Sequence, residues 1–360
     1  MNVMPTKLEA AGAITAAGAI DCDIHTPLPR RTDLLPYLDE YWSEIVTSRE
    51  VDVLELMTAP ERTRPYMRPD WKPDGDPLAA MQKNLLDPLQ LRYGILNVVT
   101  GAQALYDPYL AAAICRATND WIVEKWLDRD ERLRASLLVP FQNVPAAVEE
   151  IERRAGDKRF VQILTLAGTE LPLGRMVYWP IYEAAAKHGF QIGMHTGSNL
   201  RNAPSHSGYH SYLIEDLISM TQGFSTQVAS LIAEGVFTRH PSLKVVAIES
   251  GVTWVPPLMW RMSKDWRGTR IETPWVKDSP GDIIRRHVRM TSQPLDIPDD
   301  PAEVKAALSH LLSDEMILFS TDYPHWHFEG FEVLPDGLPD EMLEKILRTN
   351  AIATYPRLGG

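Results

Sequence analysis

Short apolar runs alternate with longer segments of helical periodicity along almost the whole chain. Eight runs, at residues 19–25, 93–100, 133–140, 160–166, 191–195, 243–249, 287–293 and 316–320, have the length and continuous hydrophobicity of strands buried on both faces. Between them, residues 33–49, 108–126, 144–154, 178–188, a long stretch ending near Gly235, and 340–349 repeat their apolar positions with helical spacing. Eight strand–helix units predict an α/β fold, a (β/α)8 TIM-type barrel. Neither a glycine-rich dinucleotide fingerprint nor a phosphate-binding Walker loop follows the first strand, which argues against a doubly wound open sheet.

Two segments depart from the rhythm. Residues 1–18 are rich in Ala and Gly and read as an N-terminal arm rather than a signal peptide, since a Lys and a Glu interrupt the apolar stretch. Residues 51–87 carry Pro60, Pro65, Pro69, Pro73 and Pro77 and read as an insertion, either a lid over the barrel mouth or an oligomer contact. Residues 19–360 are otherwise one domain, with no repeat or linker dividing them.

Chemistry concentrates at the carboxyl ends of the strands, where a barrel builds its reaction centre. Asp23 and His25 are two apart at the end of the first strand, so their side chains leave on one face. His195 ends the fifth strand in Gly-Met-His-Thr-Gly, Glu249 the sixth, and Asp322 follows the eighth in Ser-Thr-Asp-Tyr-Pro. Singly, each has an ordinary explanation: a helix cap, a satisfied core histidine, a turn former. Their joint recurrence at strand ends points instead to metal ligands, and the carboxylate–imidazole set suits Zn, Fe or Mn. Glu249 closes an aliphatic run and needs a cation beside it, either a metal or a guanidinium such as Arg261.

His206 and His210, in the loop after the fifth strand, and His325 and His327, just past Asp322, supply donors for a second ion. His188, His240, His287 and His310 fall on helix ends or turns and are expected to be structural. Arg201 is the candidate cation for an acidic substrate, and Trp254 and Trp326 are candidate walls of its pocket. The other tryptophans of the helix after strand six, Trp260 and Trp266, read as core or subunit contacts.

A formal charge of −12 excludes nucleic acid and anionic membrane as natural partners, because both require basic patches. Two cysteines, Cys22 and Cys115, are too few for a disulfide framework and fit a reducing cytosol. No run reaches the roughly 18 apolar residues of a membrane span.

Ile-Asp-Cys-Asp-Ile-His, Gly-Met-His-Thr-Gly, His-Pro-Ser-Leu-Lys before strand six and Ser-Thr-Asp-Tyr-Pro-His-Trp make the chain, over residues 19–358, resemble the amidohydrolase-related superfamily. The similar branch is that of aminocarboxymuconate-semialdehyde decarboxylase and the resorcylate decarboxylases. The resemblance implies a metal on Asp23 (in the place of a family His or Glu), His25, His195 and Asp322. Glu249 stands where those enzymes carry a catalytic histidine. In that respect the chain is similar to a small oxygenase offshoot that includes 2-aminoisobutyrate hydroxylase and a terpenoid hydroxylase and holds two non-haem metals.

Three expectations follow. The favoured one is an O2-dependent dinuclear Fe and/or Mn monooxygenase acting on a small organic or amino acid. Asp23, His25, His195 and Asp322 would hold one ion, and Glu249 with His206, His210, His325 or His327 the other, with Glu249, Asp322 and His210 as the catalytic groups. The alternative is a mononuclear Zn or Mn hydrolase or decarboxylase with Asp322 as general base. The third is a metal-bearing subunit supporting an active partner. A homo- or hetero-oligomer with a related chain is expected in each case.

Overall fold

The computed structural model describes residues 16–51, 75–198, 208–298, 300–325, 334 and 337–359. Eight parallel strands pair in sequence order: β1 Ile20–Ile24, β2 Tyr93–Leu96, β3 Leu133–Leu138, β4 Phe160–Gly168, β5 Gln191–Ser198, β6 Val245–Ile248, β7 Val288–Thr291 and β8 Ile317–Leu318. The ring closes between β8 and β1. The Cys22 and His25 amides donate to the Phe319 and Tyr323 carbonyls, and Ile24 bridges Tyr323 in parallel. A side-chain clip reinforces this seam: Asp21 accepts the Thr321 hydroxyl at 2.6 Å and the Thr321 amide at 3.1 Å. The predicted TIM-type barrel is the observed fold.

Two apolar layers follow from the strand faces. The outer one joins helices to strands around the whole barrel. The inner one gathers Ile20, Cys22, Ile95, Val161, Val246, Ile248 and Leu318 and is plugged by Ala351, Tyr355 and Leu358 of the C-terminal segment. Arg357 fixes that plug at the amino ends of the strands, donating to carbonyls of Ala155, Asp157, Phe160 and His188. The floor is therefore sealed, and the carboxyl ends are left as the reactive mouth.

Several elements differ from the sequence expectation. The helix expected over 33–49 breaks. Residues Arg31–Leu34 and Leu35–Tyr37 make short turns, Leu38 is extended, and a helix restarts at Glu40–Ser48 under an Asp39 cap. Pro36 and that cap explain the interruption. The insertion is not loop throughout. Pro77–Met81 continues through Leu86 as a helix that buries Leu78, Met81, Leu85 and Leu86 in the outer layer. Residues 52–74, the remainder of the candidate lid, lie outside the described residues, as do 1–15 of the arm. The arm's end is docked: Arg348 donates to the Ala17 carbonyl and the Gly18 amide to that of Gln90.

His287 is structural, as expected. Its Nδ1–H donates to the Leu243 carbonyl at 2.7 Å and its ring stacks on Phe237. Burial, with Lys244, Arg286 and Arg289 nearby, pushes its pKa down to about 4 from 6.5. The unfolded chain thus binds a proton that the folded chain refuses between these values, so stability rises with pH through that window and is lost below it. The group accounts for up to about 3 kcal/mol of acid destabilisation. Urea unfolding at pH 5 and pH 7 should show a shallower pH dependence for His287→Gln than for the parent chain, and equal slopes would refute the assignment.

Candidate metal centre

Local geometry at the strand ends brings the side chains together. The β1–β2 register shifts between Asp21 and Ile24, which inserts one extra residue into β1. This bulge lets Cys22 pack in the barrel interior while Asp23, the next residue, also reaches inward to Asn97 of the β2 end. His25 then follows on the Asp23 face. His195 pairs with Ile248 across β5–β6, so Glu249 stands one step nearer the mouth. Glu249 and Asp322 both adopt left-handed backbone, with φ of 55° and 56°. Such a conformation strains a non-glycine residue and is retained where the surroundings over-determine it, commonly at functional sites. Here the Glu249 amide donates to Thr291 Oγ1 at 3.0 Å and the Asp322 amide to the Asp23 carbonyl at 3.0 Å.

The result is a cluster of six side chains. His25 Nε2 lies 3.3 Å from Asp23 Oδ1, 3.2 Å from Glu249 Oε1, 3.2 Å from Asp322 Oδ1 and 3.3 Å from His195 Nε2. His195 Nε2 is 3.2 Å from Glu249 Oε1. His325 Nδ1 sits 2.6 Å from Asp322 Oδ1, and its ring stacks on His25. One ring nitrogen can carry one proton, so hydrogen bonding alone cannot satisfy four ligand atoms around His25 Nε2. A cation at their centre can.

Two further observations fit a metal. Asp23 Oδ2 is buried and has no hydrogen-bond partner among the described residues. The His195 Nδ1–H donates to its neighbour's carbonyl, that of Thr196, at 2.7 Å, which fixes the tautomer with the Nε2 lone pair free for a metal.

Among the described residues the donor atoms form two overlapping sets: Asp23, His25, His195 and Glu249, and His25, Glu249, Asp322 and His325. His25 and Glu249 belong to both. The grouping differs from the resemblance-based set in one place, because Glu249 and not Asp322 completes the group around Asp23, His25 and His195. Among the described residues no guanidinium pairs with Glu249: Arg261 is exposed and pairs with Asp265.

Two other candidates among the described residues stand outside the cluster. His210 lies with its Nδ1 3.5 Å from Asp216 Oδ1 and belongs to neither donor set among the described residues. Trp254 is a core residue beneath the β6 loop, stacked on Phe224 and donating its indole N–H to the Gly251 carbonyl. Arg201, His206, Trp326 and His327 lie outside the described residues. Sequence reasoning missed the groups that hold the ligands, chiefly Asn97, Asp21 with Thr321, and Asp296. The Asp296 carboxylate takes the amides of Val252 and Thr253 and so pins the loop after Glu249.

Electrostatics follows from three carboxylates packed on three imidazoles. Burial opposes charge on His25 and His195, but the surrounding carboxylates outweigh it and hold both above the ordinary imidazole range. For His325 burial is likewise outweighed by Asp322, and its pKa is pushed up to about 9. Burial also works against Glu249, yet His195, His25 and His325 hold its carboxyl well below the usual range. Metal binding therefore competes with protons for the imidazole nitrogens, whose proton affinity the carboxylates raise. Mn2+ affinity should climb as pH rises from 6 toward 9, by about tenfold per unit for each proton displaced. Titrations at pH 6, 7 and 8 check this, and a flat profile would exclude the imidazoles as ligands.

Relatives agree with this picture. The chain is 26% identical over 290 residues to gamma-resorcylate decarboxylase from Rhodococcus jostii, covering 75% of this chain and 85% of that protein. A second gamma-resorcylate decarboxylase, from Rhizobium, is 26% identical over 304 residues, covering 77% and 90%. An amidohydrolase from Mycobacterium avium subsp. paratuberculosis superposes with a TM-score of 0.70 at 21% identity, covering 94% of this chain and 97% of that one. A dihydroxybenzoic acid decarboxylase from Polaromonas, solved with bound manganese and the inhibitor 2-nitroresorcinol, gives 0.63 at 18%, covering 94% and 97%. The amidohydrolase family pattern spans residues 20–357, from the first residue of β1 to the arginine that anchors the floor, and the chain belongs to that family of metal-dependent enzymes.

Proposed function

We propose that this protein is a metal-dependent carboxy-lyase that removes CO2 from a small carboxylate substrate. One observation carries the reading: Asp322 and His325 form a 2.6 Å pair outside the four-donor set of Asp23, His25, His195 and Glu249, which is complete without them. Asp23, His25, His195 and Glu249 would hold a single Mn2+ or Zn2+, and a divalent ion bound there would supply a Lewis acid for the substrate's oxygens. His325 Nδ1 stands 2.6 Å from Asp322 Oδ1, and that carboxylate favours a proton on the imidazole.

Decarboxylation breaks the C–C bond to the carboxylate and leaves its electron pair on the substrate carbon. His325 gives its proton to that carbon, CO2 departs, and water reprotonates the pair. Both gamma-resorcylate decarboxylases support this direction of chemistry over the oxygenase favoured by sequence. Arg201 and Trp326 remain candidates for contacting the substrate.

A second reading rests on the overlap of the two sets. With a second Fe2+ or Mn2+ on His25, Glu249, Asp322 and His325, Glu249 becomes a shared ligand, and the pair of ions suits an O2-dependent oxygenase. The two readings give His325 different duties, proton carrier or ligand.

Manganese-loaded protein should bind one ion per chain and release CO2 from aromatic hydroxycarboxylates such as 2,6-dihydroxybenzoate equally well in air and under argon. His325→Ala should leave that stoichiometry at one and lower kcat by about 10²-fold or more. Two ions per chain, falling to one in His325→Ala, with product formed only in air, would replace this reading with the second.

A further inference from the structure

A line of buried polar side chains runs from Asp23 down the barrel interior to its floor. Asn97 Nδ2 donates to Asp23 Oδ1 at 2.8 Å. The Ser136 hydroxyl donates to Asn97 Oδ1, Gln162 Nε2 to Ser136 Oγ at 2.9 Å, and the Tyr355 hydroxyl to Gln162 Oε1 at 2.9 Å. Asn97, Gln162 and Tyr355 are wholly buried, and Ser136 nearly so. Interior layers of such barrels are ordinarily filled by branched aliphatic side chains, and buried polar groups are costly unless paired.

The sense of every bond is fixed by its upper end. An ionised carboxylate only accepts, so Asn97 must present its amide N–H to Asp23 and its carbonyl to Ser136. Ser136 must then donate upward and accept from Gln162, which leaves the Gln162 carbonyl for the Tyr355 hydroxyl. All four donors point toward Asp23, and aligned hydrogen bonds polarise one another. The backbone makes room for the column: a β4 register shift brings Gln162 inward beside Val161, and a Cβ on Gly193 would stand 2.7 Å from Gln162 Cδ.

We infer that this column, Asn97–Ser136–Gln162–Tyr355, is a positioning device for the metal ligand Asp23. Through it the C-terminal plug of the barrel sets metal affinity from the opposite end of the strands. The inference rests on the reading of Asp23 as a ligand. The column holds Oδ1 and with it the plane of the carboxylate, leaving Oδ2 as the oxygen without a hydrogen bond. Tyr355, whose side chain is separated from Asp23 by three others, is a remote member acting only through the chain.

Mn2+ dissociation constants, measured on the full chain with the unfolding midpoint of each variant recorded alongside, test this. Asn97→Ala should weaken Mn2+ binding by about tenfold or more, as loss of a ligand's hydrogen-bond partner typically does. Tyr355→Phe should weaken it by about two- to fivefold. The deciding comparison is the double variant: in the Asn97→Ala background Tyr355→Phe should have no further effect on affinity, whereas a role in packing alone would leave its effect unchanged. Ser136→Ala, the smallest change, serves the same cycle if Asn97→Ala does not fold. Binding lost in Asp23→Ala but unaltered in the column variants, or additive effects in the double variant, would overturn the inference alone. Binding unaltered in Asp23→Ala would overturn the metal site and the inference with it.

Discussion

His25 Nε2 is surrounded by three carboxylate oxygens and another imidazole nitrogen, all within 3.3 Å. Packing of this kind has no stable solution in hydrogen bonds alone, because one proton cannot point in four directions. Buried carboxylates left unpaired would cost several kcal/mol each. The mouth of the barrel is therefore built around a positive charge, supplied either by protons on the imidazoles or by a metal ion. The raised histidines and depressed Glu249 describe the first state; the convergent lone pairs and the unpartnered Asp23 oxygen describe readiness for the second.

Holding six side chains on one point places demands on the backbone, and each is met at a strand end. The β1 bulge turns Asp23 inward, and left-handed residues re-aim Glu249 and Asp322. The seam between β1 and β8 brings the first ligands in the sequence beside the last, and Asp21 clamps Thr321, the neighbour of Asp322, at that seam. Closure of the barrel and assembly of the site are thus one event. A barrel with an open seam would have neither a complete donor set nor a sealed floor.

Most of the fold is legible in the sequence because strands buried on both faces read as continuous apolar runs, and those runs locate all eight strands to within a few residues. Asp23, His25, His195, Glu249 and Asp322 are legible because their joint recurrence at the ends of such runs has no easy explanation, although each singly does. The errors have equally physical causes. His210 lies in the loop after the fifth strand that offered donors for a second ion, and its ring stands 3.5 Å from Asp216. Prolines recur through residues 51–77 as in a loop, yet Pro77 sits where proline begins a helix, after the Asp76 cap. Asn97, Ser136 and Gln162 give no signal, since a lone polar residue in an apolar run looks like noise until the register brings three together.

Charge sets the choice between one ion and two. As metal ligands, Asp23, Glu249 and Asp322 would together bring three negative charges to a largely buried cluster. One divalent ion leaves a single negative charge, which an imidazolium at His325 cancels, so a mononuclear centre is neutral only if the Asp322–His325 pair keeps its proton. Two divalent ions leave one positive charge and exclude that proton, because His325 must then offer its lone pair. The proton and the second ion compete for the same nitrogen. With a single ion the site would retain a transferable proton beside its metal, which is what the proposed exchange of a carboxylate for hydrogen on carbon requires. The conversion of this barrel between non-redox and oxidative chemistry would turn on that one competition at His325, with the rest of the ligand cage unchanged.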